Sequence, residues 1–295
     1  MKEIKLKKGK EESLGRFHPW VFSGAIATVP SEGIEEGEVV KVVGHDGREL
    51  GAGDWQIGSI AVRMLRFASP ETEINEEFFR HRLEDAYNLR QSLGLLRDDN
   101  DSYRLVHGEG DFLPGLVIDI YGETAVMQAH SVAMRREMLA DLLTQITGLG
   151  VKNVYYKSET TLPFKARLDP QNDYLKGAMT GDVALENGLR FHVDWLKGQK
   201  TGFFLDQRDN RSLLEKYSRG RSVLNMFCYT GGFSVYAMRG GAKRVVSVDS
   251  SAKAIALTDN NMELNFPRDP RHEAVAEDAF RYLDTMRDGE FDLIV

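Results

Sequence analysis

An apolar strand that runs into a glycine pair and then a helix leaves few folds open to this chain. The stretch is Val223-Leu-Asn-Met-Phe-Cys-Tyr-Thr-Gly-Gly-Phe-Ser-Val-Tyr-Ala237. One β-α unit later, Arg244-Val-Val-Ser-Val-Asp249 is a second apolar strand, ending in a carboxylate. The two periodicities, 2 and 3.6, continue to alternate. They predict strand 223–227, helix 232–239, strand 244–248, helix 251–265, strand 273–276, helix 279–286 and strand 291–295. Alternation of this kind implies a parallel sheet with its ligand at the C-terminal ends of the strands.

The loop does not have the G-x-G-x-x-G spacing of a dinucleotide site. It reads Cys228-Tyr-Thr-Gly-Gly-Phe233. A helix N-terminus still offers unpaired N–H groups, and glycine lets a ligand approach the backbone. A zwitterionic amino-acid cofactor needs fewer glycines than a pyrophosphate, which points to S-adenosyl-L-methionine. Asp249 stands where ribose hydroxyls are expected, and it could equally cap the helix beginning at Ser250. Asp278 ends the third strand and could accept the adenine amino group or only cap a helix. Lys200-Thr-Gly-Phe-Phe-Leu-Asp-Gln-Arg208 could fold over the cofactor from outside the sheet, or bury Phe203 and Phe204 with Asp206 as a cap.

Upstream, residues 1–70 read as an all-β module. It has an Asp-Gly hairpin joining 37–43 to 48–53 and a strand at 60–65 closed by Ser69-Pro70. Within it, Trp20 and Phe22 are either core filling or an RNA contact. Residues 71–185 read as a small α/β domain. Helix 75–94 sets Phe79, Leu83, Ala86 and Leu93 on one face and ends at Gly94. Strands follow at 116–121 and 123–129 around Gly122. Ser131 caps a helix bearing Met134, Met138, Leu142 and Ile146, and a strand resumes at Val154. His107 and His130 stand alone in sequence and read as structural. Residues 186–295 form the third domain, in which 189–193 and 200–205 are expected to pair as a hairpin around Lys197-Gly198.

Bulk properties narrow the class. The chain has 295 residues, 42% hydrophobic and 28% charged, as in a globular protein. No apolar run approaches a membrane span, and nothing at the start has signal-peptide form, so a cytoplasmic protein is expected. A single cysteine, Cys228, excludes an intrachain disulfide and any cysteine-rich metal site; no metal is expected. The net charge of −7 argues against polyanion binding by the whole surface. Residues 1–16 nevertheless carry cations at 2, 5, 7, 8, 10 and 16 against glutamates at 3, 11 and 12, a local basic face or simply a solvated N-terminus.

Residues 200–208 with 223–237, together with Gly15-Arg-Phe-His-Pro-Trp-Val-Phe-Ser-Gly24, resemble the PUA-containing family of ribosomal RNA large-subunit methyltransferases, which includes the cytosine-C5 enzymes. The likeness runs in the same order over residues 1 to 295. It implies an N-terminal PUA-like RNA-binding domain, a central α/β domain and a Rossmann-like class I methyltransferase domain using S-adenosyl-L-methionine. The cofactor residues it implies are Lys200, Phe203, Asp206, Arg208, Asn225, Phe227, Cys228, Tyr229, Thr230, Gly231, Asp249, Ser250, Asp278 and Ala279. Phe227 to Gly231 would form the cofactor loop, Asp249 would take the ribose, and Asp278 the adenine. The partner implied is large-subunit ribosomal RNA, with monomer or homodimer left open.

One departure concerns catalysis. Members carry an Asp-Pro-Pro loop after the fourth strand and a later Ser-Cys-Ser segment, whereas this sequence stops at Val295. C5 of cytosine becomes nucleophilic only after a thiolate adds to C6. That thiolate is therefore expected beyond Val295, in a C-terminally incomplete methyltransferase domain. Cys228, in the cofactor loop, is badly placed to reach a base. The resulting expectation is a large-subunit ribosomal RNA methyltransferase forming 5-methylcytosine. Its alternatives are a guanine-N methyltransferase and a non-catalytic RNA-binding module that retains the cofactor fold.

Overall fold

The computed structural model describes residues 1–68, 72–133, 136–162 and 172–295. The expected Ser69-Pro70 boundary and Met134 fall outside them. The chain divides into two compact units, Met1–Leu96 with Tyr103–Thr180, and Arg97–Ser102 with Gly181–Val295.

The first unit opens with β1 (Lys2–Leu6), α1 (Glu12–Gly15), β2 (Trp20–Phe22), β3 (Ile26–Thr28), β4 (Val39–Val43), β5 (Glu49–Trp55) and β6 (Ile60–Phe67). They form one sheet in the order β2-β6-β5-β4-β1-β3. The expected Asp-Gly hairpin joins β4 to β5 in antiparallel register, with Gly47 at φ +84°. β5 lies so close to β6 that a Cβ on Gly53 would sit 2.2 Å from the Arg63 carbonyl oxygen. Ile4, Val40, Val42 and Val62 are fully buried beneath the sheet. Phe22 is 47% exposed and Trp20 half-buried, so core filling does not account for Phe22.

Five strands make the second sheet of this unit, in the order β11-β10-β9-β8-β7. They are β7 (Ser102–His107), β8 (Leu116–Tyr121), β9 (Thr124–Ala129), β10 (Asn153–Tyr156) and β11 (Asp173–Lys176), packed with α2 (Glu76–Ser92) and α3 (Arg136–Gln145). The hairpin around Gly122 is present. The sequence pattern passed over β7 and β11. Asn75 caps α2 by accepting the Phe78 N–H at 3.0 Å. Phe79, Leu83 and Ala86 face the core as expected, but Leu93 is 65% exposed because α2 ends at Ser92 and Gly94 turns the chain at φ +68°. Ser131 is buried in a bend, and the described part of α3 begins at Arg136.

The second unit starts with a hairpin, β12 (Val183–Glu186) and β13 (Leu189–His192). Here the expectation was wrong: β13 pairs with β12, not with 200–205. Asn187 and Gly188 both take left-handed φ, +49° and +79°, which is the tight-turn chemistry an Asn-Gly pair favours. Residues 200–204 instead form a turn leading to α4 (Arg208–Tyr217). Then come β14 (Ser222–Met226), α5 (Gly232–Arg239), β15 (Arg244–Asp249), α6 (Ala252–Asn265), β16 (His272–Ala276), α7 (Ala279–Asp284) and β17 (Leu293–Ile294). The four strands are parallel in the order β16-β15-β14-β17. Chain order therefore reverses at β14, and the crevice above that reversal is where such sheets bind ligands. Among the described residues no helix is long and apolar enough to cross a membrane.

A polar chain threads this sheet's interior. Asn225 donates to Ser234 Oγ (2.8 Å), Ser234 and Ser247 hydroxyls meet at 2.6 Å, and Ser247 Oγ lies 2.9 Å from His272 Nε2. Burial holds the His272 imidazole down to about 4, against a partial upward pull from Glu273 and Asp269. In the unfolded chain the same ring takes a proton below about 6.5. Its contribution to stability is therefore complete above that value and lost as pH falls towards 4. With a discount for partial exposure, the expected loss is about 2 kcal/mol. Urea unfolding at pH 7 and pH 4 measures it. A His272→Asn protein with the same pH slope as wild type would refute the assignment.

Candidate functional site

A cavity of about 570 Å³ opens at the C-terminal ends of β14 and β15, within the range of small-molecule sites. Its floor is the loop between β14 and α5. Phe227 and Tyr229 hold left-handed backbone, φ +54° and +50°, and Gly231 follows at +74°. Non-glycine residues in that region store strain of about 1 kcal/mol or more each, so neighbours must hold them there. Five hydrogen bonds do so. Cys228 N–H donates to the Val248 carbonyl (3.0 Å), Tyr229 N–H to Asp249 Oδ2 (3.0 Å) and Gly231 N–H to the Cys228 carbonyl (2.8 Å). Thr258 donates to the Tyr229 carbonyl (3.1 Å) and Asn261 to the Thr230 carbonyl (2.8 Å). Gly231 has no room for a side chain: a Cβ there would stand 2.6 Å from Thr258 Cγ2.

Asp249 ends β15 with both oxygens engaged on one side, Oδ2 to Tyr229 N–H and Oδ1 to Ser251 N–H (2.9 Å), while the residue borders the cavity. The helix N-cap that Asp249 might have supplied is Ser251, whose Oγ accepts the Ala254 N–H. The opposite wall is the segment from Asp194 to Phe204. Gln199 N–H donates to the Tyr229 hydroxyl at 3.0 Å, Phe204 packs edge-on against the Tyr229 ring at 5.3 Å, and Lys253 pairs with Asp194 at 2.7 Å. Beneath that wall, Arg211 forms a two-point pair with Glu186 (2.9 and 2.7 Å), donates to the Phe204 carbonyl (2.9 Å) and lies 4.6 Å from the Phe203 ring centroid.

Of the expected cofactor residues, Phe203, Phe227, Cys228, Tyr229, Thr230 and Asp249 line this cavity. Gly231 shapes the loop from behind. Lys200, Asp206, Ser250 and Ala279 are not in the lining; the Lys200 ammonium sits 4.5 Å over the Phe204 ring. Asn225 points into the sheet towards Ser234. Arg208 is tied to Glu186 (3.1 Å) and to the Ser102 carbonyl. Asp278 Oδ1 accepts the Phe280 and Arg281 N–H groups (3.0 and 3.1 Å), capping α7. The sequence pattern missed Asp194, Gln199, Arg211, Lys253 and Leu257, all in the lining. Only Lys197-Gly198 carried a signal, and it was taken for a hairpin turn.

The donor set suits a nucleoside joined to an amino acid. A carboxylate stands at the strand end, aromatic rings make the walls, and first-turn N–H groups of α5 have no intrahelical partner. Among the described residues no cluster of metal-binding side chains occurs. The Cys228 thiol is buried 3.7 Å from Thr258 Oγ1, and burial pushes it up to about 12. It is therefore a thiol, not a thiolate, at neutral pH. Iodoacetamide at pH 8 is expected to leave the intact mass of the folded protein unchanged while free cysteine reacts fully. Rapid alkylation of Cys228 would show that its pKa is not raised.

Comparison with known proteins gives the same picture. The family model for S-adenosylmethionine-dependent methyltransferases matches residues 104–295, and that for a PUA-like domain matches residues 4–67. Ribosomal RNA large subunit methyltransferase I of Shewanella denitrificans is 39% identical, covering 99% of this chain and 74% of its own length. Its counterpart in Escherichia coli O9:H4 is also 39% identical, over 98% of this chain and 74% of the relative. This chain thus spans about three quarters of the length of these relatives. Among solved structures, a candidate methyltransferase, SMU.776, complexed with SAH superimposes with a TM-score of 0.82 at 25% identity, over 100% of this chain and 75% of that one. The crevice above β14 thus belongs to a class I methyltransferase fold, and the chain belongs to the S-adenosylmethionine-dependent methyltransferases, in the PUA-bearing family of ribosomal RNA large subunit methyltransferase I.

Proposed function

We propose that this protein methylates a base of large-subunit ribosomal RNA, and that the base is cytosine, modified at C5. The observation that carries the reading is the cavity floored by Phe227–Gly231 and bordered by Asp249, in a chain whose relatives are named for that RNA. When bound, S-adenosyl-L-methionine supplies a methyl group on a positively charged sulfur. Asp249 would accept the ribose hydroxyls, Asp278 and the Ala279 N–H would meet the adenine edge, and the α5 N-terminus would hold the amino-acid end. Phe203, Lys200 and Asp206 belong to the segment that covers the cofactor and excludes water. Rate enhancement comes mainly from alignment of donor and acceptor. Residues 1–70 contact RNA, 71–185 form the central domain and 186–295 hold the cofactor. Its place of action is the cytoplasm, as a monomer or a homodimer.

The C5 reading requires a thiolate, which the buried Cys228 does not provide. The same burial of Cys228 favours one second reading, methylation of a guanine nitrogen, which uses no thiolate. Nucleoside mass spectrometry separates them. Large-subunit ribosomal RNA incubated with the full-length gene product and labelled cofactor is digested and its methylated bases identified. 5-Methylcytosine is expected. Labelled guanine alone would replace the C5 assignment, and cofactor binding with no labelled RNA would reduce the protein to an RNA-binding module.

A further inference from the structure

His107 and His130, distant in sequence, share one hollow of about 220 Å³ in the first unit with Trp20, Arg63 and Glu109. Glu109 Oε1 organises it, accepting the Trp20 indole N–H at 2.7 Å and an Arg63 N–H at 2.9 Å. Gln56 takes a second Arg63 N–H at 3.1 Å, and the guanidinium carbon lies 5.7 Å from the indole centroid. Behind His107, Arg104 pairs through two hydrogen bonds with the buried Asp119 carboxylate (2.8 and 2.9 Å) and approaches His107 Nδ1 at 3.3 Å.

The charges decide what fits. Each guanidinium beside the hollow already faces a carboxylate, Arg63 with Glu109 and Arg104 with Asp119, so no cationic excess remains for a phosphate. Burial first, then Arg63, pulls the His130 imidazole below its usual value, leaving one donor and one acceptor nitrogen at neutral pH. An indole, a guanidinium plane and two imidazole rings suit an uncharged flat ring with a polar edge. The volume is below the roughly 300–1,000 Å³ of drug-sized sites, so one base fits better than a whole cofactor. Trp20 also borders a neighbouring hollow of about 360 Å³ with Lys10, Ser13 and Phe22. A strand crossing Trp20 would lay a phosphate beside Lys10 and a base beside His130.

We propose that the hollow of Trp20, Arg63, His107 and His130 takes one unstacked base of a single-stranded RNA segment, distinct from the base that receives the methyl group. The identity of the polymer rests on the RNA-methyltransferase reading; the fit of a base rests on the geometry. Proteins use such aromatic platforms on single strands because every base has a stacking face.

Fluorescence anisotropy tests this with fluorescein-labelled oligo(rA) and oligo(rU) of about twelve nucleotides, within the usual span of a single-strand site. Trp20→Ala and His130→Ala are each expected to weaken binding about tenfold, and Trp20→Phe to retain most of it. Calorimetric binding of S-adenosyl-L-methionine should be unchanged in all three, since that site lies in the other unit. Should Trp20→Ala unfold, His130→Ala carries the test. Wild-type affinity in His130→Ala and in every folded Trp20 variant overturns the proposal; if ribosomal RNA is still methylated, the enzyme reading stands without it. Lost oligonucleotide affinity in a protein that methylates no RNA keeps the base site and removes the enzyme reading.

Discussion

Replacing Glu186 by glutamine is expected to destabilise the fold by about 3–5 kcal/mol. The carboxylate is fully buried and accepts four donors: two from Arg211 at 2.9 and 2.7 Å, one from Arg208 at 3.1 Å and the Tyr236 hydroxyl at 2.9 Å. Glutamine is almost isosteric, so no cavity opens. It removes the one negative charge facing two guanidiniums, Arg211 being 2% exposed, and its amide N–H groups point at donors. An unpaired buried charge costs far more than the pair itself is worth. Removal of the most buried pair with Glu186→Leu and Arg211→Met should therefore recover part of the loss, with Arg208 keeping its bond to the Ser102 carbonyl. Urea unfolding measures all three proteins. A shift below about 1 kcal/mol for Glu186→Gln would show that water reaches this site.

The effect should extend to the cofactor. Arg211 donates to the Phe204 carbonyl and underlies the Phe203 ring, so a displaced guanidinium loosens the wall that faces Tyr229. At denaturant-free conditions, where Glu186→Gln remains mostly folded, its affinity for S-adenosyl-L-methionine should also fall. A variant that is less stable yet binds the cofactor as wild type would confine Glu186 to the core.

This hub shows which features a sequence carries. α5 was predicted at its observed bounds, because strand and helix periods alternate locally and a glycine pair marks the turn between β14 and α5. Leu93 failed through a boundary effect: the helical pattern runs on for one residue after the helix ends. The Asn187-Gly188 turn was legible by its own chemistry, but the apolar stretch at 200–205 drew β13 to the wrong partner. Glu186 was invisible. Its three partners, Arg208, Arg211 and Tyr236, come from two helices, and nothing local distinguishes a buried glutamate beside a turn from a solvated one. The same holds for Asp194 with Lys253, and for His107 with His130, where only tertiary structure supplies the neighbour.

Asp249→Ala is expected to lower S-adenosyl-L-methionine affinity by at least about 100-fold, since two hydrogen bonds to a carboxylate contribute about 1.5–3 kcal/mol each. That loss alone would not identify the contact, because Asp249 also anchors Tyr229 and Ser251 through their N–H groups. A floor that sags for want of those anchors would weaken binding as well. The two causes separate in a ligand cycle. Wild type and Asp249→Ala are each titrated with S-adenosylhomocysteine and with its 2′-deoxy analogue. If the carboxylate accepts the ribose hydroxyls, wild type prefers the hydroxylated ligand by about tenfold or more, and the variant shows almost no preference. If Asp249 only holds the loop, both proteins discriminate equally and the variant binds both ligands more weakly. The first pattern places the ribose at the end of β15; the second would move it elsewhere in the cavity and leave Asp249 as a support for the left-handed Tyr229 backbone.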